Sequence, residues 1–252
     1  MKPVPLLLLS AFMLHSAAAQ EITVAWRDFA PYNFVDQGVE KGFLLARGKR
    51  IFEQAGVPAR FVLEPTKRIW AKFQAGTPMY CSLGRYRIAS RELIMQYSLP
   101  IHSDPPNVVV AAPGAAFKVR THASLLSLLG DSTLTMGTRD GASYGDQIDA
   151  MLVGAGAKVE KRVVEAPLMM KLLAADRVSF AIMDRYAWQY AHLHDPAAAN
   201  VVARDFADMP PGQKRYLVCS KDVPADVMNR LNNAIKAMKI STQPLTDAEL
   251  GQ

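Results

Sequence analysis

The sequence has few of the side chains that bind metals. Its 252 residues include two cysteines and five histidines, with no C-x-x-C or H-x-x-x-H spacing. Paired spacings of that kind are typical of zinc sites. His192 and His194 stand two positions apart on a predicted helix, so they lie on different faces of it. The sequence predicts neither a metal site nor a cofactor.

Long apolar runs are missing after the first residues. Lys2 gives a positive start, residues 4–14 are apolar, and residues 17–19 supply the small side chains of a cleavage site. This run is shorter than the roughly 20 residues that span a membrane. We therefore expect residues 1–19 to be an export signal and the rest to be a soluble periplasmic protein, with an uncleaved anchor as the alternative.

Cysteine is limited to Cys81 and Cys219, both in strand-like apolar contexts. An oxidising compartment permits a disulfide between them, and two buried thiols are the alternative.

Acidic side chains are too few to balance the basic ones, and the formal net charge is +6. No nucleic-acid-binding motif accompanies this charge, so nucleic acid is not an expected partner. The charge favours an acidic ligand or a nearby anionic membrane surface. Half of the residues are hydrophobic, which suffices for one large domain or two modest lobes.

Predicted strands and helices alternate in two units. The first unit has strands at Ile22–Trp26, Ala59–Leu63 and 79–83, with helices at Phe43–Gln54 and 67–74. A second unit of the same kind follows over residues 133–203. Such alternation predicts an α/β fold with mostly parallel sheets covered by helices.

Two further strands, 107–112 and 215–220, are predicted to pass between these units. Pro113 and Gly114 follow the first, and residues 209–212 (Met-Pro-Pro-Gly) precede the second. We therefore expect a first lobe of about 20–108 and 214–252, a second lobe of about 112–210, and two hinge crossovers. Ligands bind at the carboxyl ends of strands in open α/β sheets, so the facing lobes would form a cleft.

A short predicted strand beginning near Cys81 runs into a loop that includes Arg85, Arg87 and Arg91. A second apolar segment then leads to a predicted Ser-x-Pro turn at residues 98–100. Arginine presents a fork of donors that matches a carboxylate or phosphate, which favours an anion site. A basic surface loop is the alternative, and Arg85 and Arg87 face either the cleft or the solvent.

Five segments together resemble a known family, the extracellular solute-binding proteins of family 3, which serve polar amino-acid uptake by ABC transporters. The resemblance implies a two-lobed type II periplasmic-binding-protein fold, a monomer that binds a small ligand, and a permease of the inner membrane as partner. The segments are 28–34 (DFAPYNF), 42–43 (GF), 84–100 (GRYRIASRELIMQYSLP), 137–144 (GTRDGASY) and 176–184 (DRVSFAIMD).

The same resemblance implies an α-amino-acid site. Arg91 and Ser143 would bind the ligand carboxylate, and Asp184 would bind its ammonium group. Phe29 would stack on the ligand side chain, where a flat aromatic surface suits an apolar group. From the residues alone, Ser143 and Asp184 also fit a helix-capping role.

Three more positions bear on the ligand. Gly84 matches the family glycine whose backbone approaches the ligand. Tyr86 stands where the family usually has threonine, so one hydroxyl contact is altered. Leu44 replaces the usual aspartate near the cleft mouth, which argues against a standard cationic amino acid. The ligand class implied is an amino acid or a similar small carboxylate.

Two other functions compete with import. A periplasmic sensing protein that feeds a signalling partner would use similar lobes. A dehydratase-like enzyme on the same fold is disfavoured, because the sequence has no H-E-x-x-H motif and no Cys/His nucleophile pair. His102, just after the Ser-x-Pro segment, is the best candidate for a general base.

Overall fold

The computed structural model describes residues 21–139, 143–162 and 166–239. The predicted export signal lies outside the described residues. Within them the chain forms two five-stranded sheets and one short hairpin, with helices packed around the sheets. None of the described helices is long and apolar enough to cross a membrane.

The elements follow in chain order. The first part contains β1 (Ile22–Trp26), β2 (Phe34–Asp36), β3 (Val39–Lys41), α1 (Phe43–Gln54), β4 (Ala59–Leu63), α2 (Thr66–Gln74), β5 (Tyr80–Tyr86) and β6 (Met95–Ser103). The middle part contains β7 (Val108–Ala111), α3 (Ala116–Thr121), α4 (Leu125–Leu129), β8 (Thr135–Arg139), α5 (Asp146–Val153), β9 (Lys158–Arg162), α6 (Ala166–Ala174), β10 (Phe180–Met183), α7 (Arg185–His194) and β11 (Val202–Arg204). The last part contains β12 (Lys214–Ser220) and α8 (Ala225–Ala237).

The first lobe is built on the sheet β4-β1-β5-β12-β6. Strand β1 is parallel to β4 and β5, whereas β12 is antiparallel to β5 and β6. Ile22, Val24 and Trp26 in β1 are fully buried. A parallel strand covered on both faces needs such an apolar run, and this is why the segment could be recognised as a strand from its sequence.

The second lobe is built on the sheet β11-β7-β10-β8-β9. Strand β10 runs parallel to β8 and antiparallel to β7. Val108, Val109 and Val110 of β7 are completely buried, as are Leu125 and Leu128 of α4. This core is separate from that of the first lobe, so each lobe has its own apolar interior.

Two crossovers, residues 104–107 and 205–213, join the lobes. They lie side by side, because the backbone N–H of Asp104 donates to the carbonyl oxygen of Gln213 at 2.9 Å. A Cβ atom on Gly212 would overlap the carbonyl oxygens of Asp104 and Pro105. Glycine is therefore required at this position by the close approach of the two crossovers.

A disulfide joins Cys81 of β5 to Cys219 of β12, which are paired directly across the antiparallel ladder. The two residues are 138 positions apart. The bridge thus ties a strand that precedes the second lobe in the chain to the strand that returns from it, within the first-lobe sheet.

Several local expectations need correction. Residues 98–100 do not form a turn but lie inside β6, where Pro100 is accommodated because β6 is an edge strand and its ladder with β12 is bulged there. Arg85 lies within β5 rather than in the following loop. The hairpin β2–β3 and the short helices α3 and α4 were not predicted, because elements of three to six residues show too little periodicity.

Candidate functional site

A cavity, here called the interlobe cavity, lies between the lobes and beside both crossovers. Its volume is about 960 Å³, including the mouth that is open to solvent. The first lobe contributes Arg27, Phe29, Tyr86 and Arg215. The crossovers contribute Asp104, Asn107 and Gln213, and the second lobe contributes a largely apolar surface with Ser143 and Asp184 at its edge.

The floor of the cavity holds a buried arginine between two carboxylates. Arg215 donates from Nε to Oδ1 of Asp104 at 2.8 Å, and from Nη2 to Oδ2 of Asp184 at 2.9 Å. The side chains of Arg215 and Asp104 are each 5% exposed, and that of Asp184 is 15% exposed. Burial, the largest influence, lowers the pKa of Arg215, but the surrounding acids and phenols raise it well above its usual value. The guanidinium is therefore permanently charged.

Two tyrosines complete this group, which we call the Arg215 cluster: Arg215, Asp104, Asp184, Tyr32 and Tyr86. The hydroxyl of Tyr32 lies 2.8 Å from Oδ2 of Asp184 and 3.1 Å from Oδ1 of Asp104. Tyr86 donates to Oδ2 of Asp104 at 2.6 Å and accepts from Nη2 of Arg215 at 2.9 Å. Burial raises the pKa of both phenols, so both stay protonated and act as donors.

His102 packs against the same cluster from the core of the first lobe. Its ring contacts Tyr32 and Phe43 edge-on, and its Nδ1 lies 3.3 Å from Nη1 of Arg47. Burial, followed by the charges of Arg215 and Arg47, lowers the pKa of His102 to about 3. His102 is thus neutral at ordinary pH but a weak base, and it does not line the cavity, so it is poorly suited to act as a general base.

Phe29, for which stacking on the ligand was predicted, lies in the cavity lining, on the loop that follows β1. Its ring stacks almost parallel to that of Tyr32, with centroids 5.2 Å apart. The guanidinium of Arg27 lies 4.0 Å from the Phe29 ring centre on the cavity side. One cation and one aromatic ring are therefore presented together at the carboxyl end of β1.

Ser143 also lines the cavity, but its hydroxyl is used by the protein itself. The Oγ atom donates to Oδ2 of Asp149 at 2.6 Å, and the N–H of Tyr144 donates to Oδ1 of the same carboxylate at 2.9 Å. Asp149 in the first turn of α5 thus occupies donors that an anionic ligand would otherwise use.

The pentapeptide 141–145 (Gly-Ala-Ser-Tyr-Gly) has the G-x-S-x-G spacing of serine hydrolases. In the structure the hydroxyl of Ser143 points to a carboxylate. Among the described residues no histidine hydrogen bonds to it, so the arrangement needed to activate a serine nucleophile is not formed there.

Asp184, for which an ammonium contact was predicted, lies in the cavity lining and also caps α7. Its Oδ1 accepts from the N–H of Ala187 at 3.0 Å, while Oδ2 faces Tyr32 and Arg215. Burial and the nearby charge of Asp104 raise the pKa of Asp184. Capping and an internal ion pair therefore use both oxygens of this side chain.

Arg91 does not line the interlobe cavity. It ends a short 3-10 helix, Ala89–Arg91, and its guanidinium lies 3.9 Å from the ring centre of Trp70 on α2. The aromatic face holds the arginine on the surface of the first lobe, away from Asp184. The two-pronged carboxylate contact inferred for Arg91 is thus not part of this cavity.

The other two arginines of the segment differ in environment. Arg85 is buried, donates from Nε to Oγ of Ser82 at 2.8 Å, and has a pKa lowered to about 9 by burial and then by Arg27. Arg87 is exposed and pairs with Glu92 at 2.7 Å. Neither side chain lines the cavity.

Gly84 sits behind the cavity instead of lining it. Its φ of 71° and its contact with Leu44 explain the glycine, because a Cβ atom would lie 2.7 Å from Cδ2 of Leu44. Its carbonyl oxygen faces Nη1 of Arg215 at 3.4 Å. Leu44 is a core residue of the first lobe and does not reach the cleft mouth.

Sequence reasoning missed Arg27, Asp104 and Arg215. The sequence does contain two signals of buried charge. Arg215 stands at the start of the apolar strand β12, and Asp104 directly precedes the prolines at 105 and 106. A buried charge needs a partner of opposite charge, so these two positions could have been predicted to form an ion pair.

Among the described residues, no group of three or more acidic, histidine or cysteine side chains could hold a metal ion.

Comparisons with known proteins show the fold. No protein-family model matches the sequence, and no curated protein is similar to it. An ancestral arginine-binding protein bound to arginine is 21% identical, with a TM-score of 0.69 over 87% of this chain and 92% of that one. A chain from the work on glutathione import via GshT and the cystine ABC importer TcyBC of Streptococcus mutans is 14% identical, with a TM-score of 0.70 over 87% and 89%.

A third similar structure comes from Bordetella pertussis. A double mutant of the VFT2 domain of Bordetella pertussis BvgS is 15% identical, with a TM-score of 0.65 over 91% of this chain and 90% of that one. At these identities the likeness concerns architecture, and it agrees with the two sheets and two crossovers described above. The chain has the two-lobed type II fold of the periplasmic solute-binding proteins.

Proposed function

We propose that the chain is the substrate-binding component of an ABC importer and binds an amino acid or similar small carboxylate between its lobes. The observation that supports this most directly is the interlobe cavity, which draws its lining from both lobes and from both crossovers. A ligand there touches both lobes at once. It therefore favours the closed form through contacts that the open form cannot make.

The proposed role also implies a cellular compartment and a partner for the protein. Residues 1–19 direct the chain to the periplasm, where it acts as a monomer and delivers its ligand to a permease in the inner membrane. The disulfide between Cys81 and Cys219 accords with an oxidising compartment. Turnover is not part of the proposal, because neither Ser143 nor His102 has the surroundings of a catalytic group.

Sensing is the second candidate, and the likeness to the BvgS VFT2 domain favours it. In that case the same cavity would bind a ligand whose effect passes to a signalling partner instead of a permease. Permease and ATPase genes beside the coding gene support import, whereas a lone histidine-kinase gene supports sensing.

Ligand-induced stabilisation tests the binding role. A ligand that binds only the folded state raises its stability by RT ln(1 + [L]/Kd), so a panel of amino acids, carboxylates and polyamines should contain compounds that raise the melting temperature. Asn107→Trp fills the cavity from the first crossover and should abolish the shift, while the same change at exposed Asn200 should preserve it. A shift that survives Asn107→Trp would place binding elsewhere and contradict the proposal.

A further inference from the structure

The two acidic side chains that line the interlobe cavity already accept hydrogen bonds from internal donors. Asp104 accepts from Nε of Arg215 at 2.8 Å and from the hydroxyl of Tyr86 at 2.6 Å, and Nη2 of Arg215 lies 2.8 Å from its Oδ2. The single O–H of Tyr32 lies within reach of both Asp104 and Asp184 and serves one of them at a time. A ligand ammonium group at Asp104 must therefore compete with a buried guanidinium and two phenols.

Asp184 is also poorly placed to bind a ligand ammonium group. Its Oδ1 caps α7 through the N–H of Ala187, and its Oδ2 faces Tyr32 and Arg215. An ammonium group at Oδ2 would have to displace one of these donors and would sit beside the guanidinium of Arg215, 2.9 Å from the same oxygen. Two like charges in a buried site repel each other strongly.

The cavity nevertheless offers a cation for an anionic group. Arg27 lies in the lining, over the ring of Phe29. A guanidinium has five N–H donors in a fixed fork, so it can serve a ligand carboxylate alongside its other contacts. The charged side chains of the described lining are thus Arg27 and Arg215 against Asp104 and Asp184, and both acids face Arg215.

The opposite face of the cavity is apolar. It comes from the second lobe and includes Ile148, Met169, Ile182, Met183 and Ala187. Methionine side chains adapt to irregular apolar shapes, and burying the methylene groups of a ligand against them favours binding. The lining therefore presents the guanidinium of Arg27 beside Phe29 on one side and an apolar surface on the other.

We propose that the interlobe cavity binds an organic acid with an apolar body and no α-ammonium group. The proposal rests on the proposed binding function and narrows its ligand class. Arg27 binds the carboxylate, Phe29 and the second-lobe face pack against the apolar body, and Asp184 holds the lobes together through Arg215 instead of binding the ligand.

Matched pairs of ligands test this directly by titration calorimetry on the folded chain. Leucine is compared with 4-methylpentanoate, phenylalanine with 3-phenylpropanoate, and methionine with 4-(methylthio)butanoate. The members of each pair differ only in the ammonium group. In at least one pair the desamino acid should bind more tightly by about tenfold or more, because the amino acid must displace a buried charge-assisted hydrogen bond.

Two variants locate the contact. Arg27→Gln should weaken the desamino acid by about tenfold or more. Arg60→Gln removes the same charge from an exposed position of β4 and should leave affinity unchanged. Because Arg27 is half-buried, circular dichroism is used to check that the Arg27→Gln protein remains folded.

The outcomes separate the two proposals. Tighter binding of the amino acid in every pair, lost in Asp184→Asn, would overturn the inference and leave the binding function intact. Affinity unchanged in Arg27→Gln would also overturn it. If neither series binds, the inference fails, and the binding function survives only if another compound of the panel binds the wild type but not Asn107→Trp.

Discussion

Nη2 of Arg215, at the start of β12 in the first lobe, lies 2.9 Å from Oδ2 of Asp184, which precedes α7 in the second lobe. The two lobes are therefore joined by an ion pair that is largely removed from solvent. Tyr32 adds a second contact to the same oxygen at 2.8 Å. Both contacts join a first-lobe side chain to Asp184 beside the cavity, so the Arg215 cluster links the two lobes there.

Arg215→Met should destabilise the protein by about 3–5 kcal/mol, because it leaves Asp104 and Asp184 buried without their cation. Urea unfolding at neutral pH measures the loss. The matched control is Arg87→Met, which removes an exposed ion pair with Glu92 and should cost far less, because solvent screens that pair. Equal losses in the two variants would mean that the cluster contributes no more than a surface pair.

Asp184→Asn should change how stability depends on pH. Burial and Asp104 raise the pKa of Asp184 in the folded state above its ordinary value of 3.8. The folded state therefore binds this proton at higher pH than the unfolded state does, and the contribution of Asp184 to stability falls as pH rises through the folded pKa.

Asparagine does not titrate, so the free energy of unfolding of the variant relative to wild type should increase as pH rises from about 4 to 8. Urea unfolding at a series of pH values measures this difference. The same change at exposed Asp226, in the first turn of α8, serves as a control and should give a flat difference. A flat difference for Asp184→Asn as well would contradict a raised pKa.

His102 should produce the opposite dependence. Its folded pKa is lowered to about 3, whereas the unfolded histidine takes up a proton near pH 6.5. Stability is therefore lost as pH falls below 6.5, by about 1.4 kcal/mol per pH unit from this group. His102→Phe should remove that slope, and His194→Phe, at the exposed end of α7, should retain it. Identical slopes in wild type and His102→Phe would show that His102 is not kept neutral.

The Cys81–Cys219 bridge should contribute about 2–5 kcal/mol, because it closes a long loop in the unfolded chain. Cys81→Ala, Cys219→Ala and the double variant should lose nearly the same free energy of unfolding, since either single change already breaks the bridge. Additive losses, with the double variant losing the sum of the single ones, would instead indicate two independent buried thiols.

Gly212→Ala should disturb the hinge, because its Cβ atom would overlap the carbonyl oxygens of Asp104 and Pro105. Forcing an added carbon into such a site costs about 1–3 kcal/mol. Thermal unfolding measures the loss, and Gly154→Ala is the matched control, since no atom lies within 4 Å of its added Cβ. A Gly212→Ala protein as stable as the control would mean that the crossovers separate without cost.

The candidate site was only partly accessible from the sequence. Phe29, Tyr86, Ser143 and Asp184 line the cavity, and each was singled out by its match to a segment of the family that the sequence resembles. The carboxylate contact was assigned to Arg91 from its position within a family segment, but the sequence did not specify the course of the backbone in that segment. Residues 98–100, for which a turn was predicted, lie in strand β6, and the 3-10 helix Ala89–Arg91 directs Arg91 onto Trp70.

The sequence by itself determined the elements and their division into two units. Runs such as Ile22–Trp26 and Phe43–Gln54 have apolar patterns that extend over neighbouring residues, and local periodicity suffices to read them. Only the tertiary structure decided which charges meet. Arg215 is 111 positions from Asp104, and Tyr32 is 152 positions from Asp184. Their pairing depends on how the crossovers bring the ends of separate strands together. Local sequence patterns indicate that a buried charge needs a partner, but they do not specify which residue the partner is.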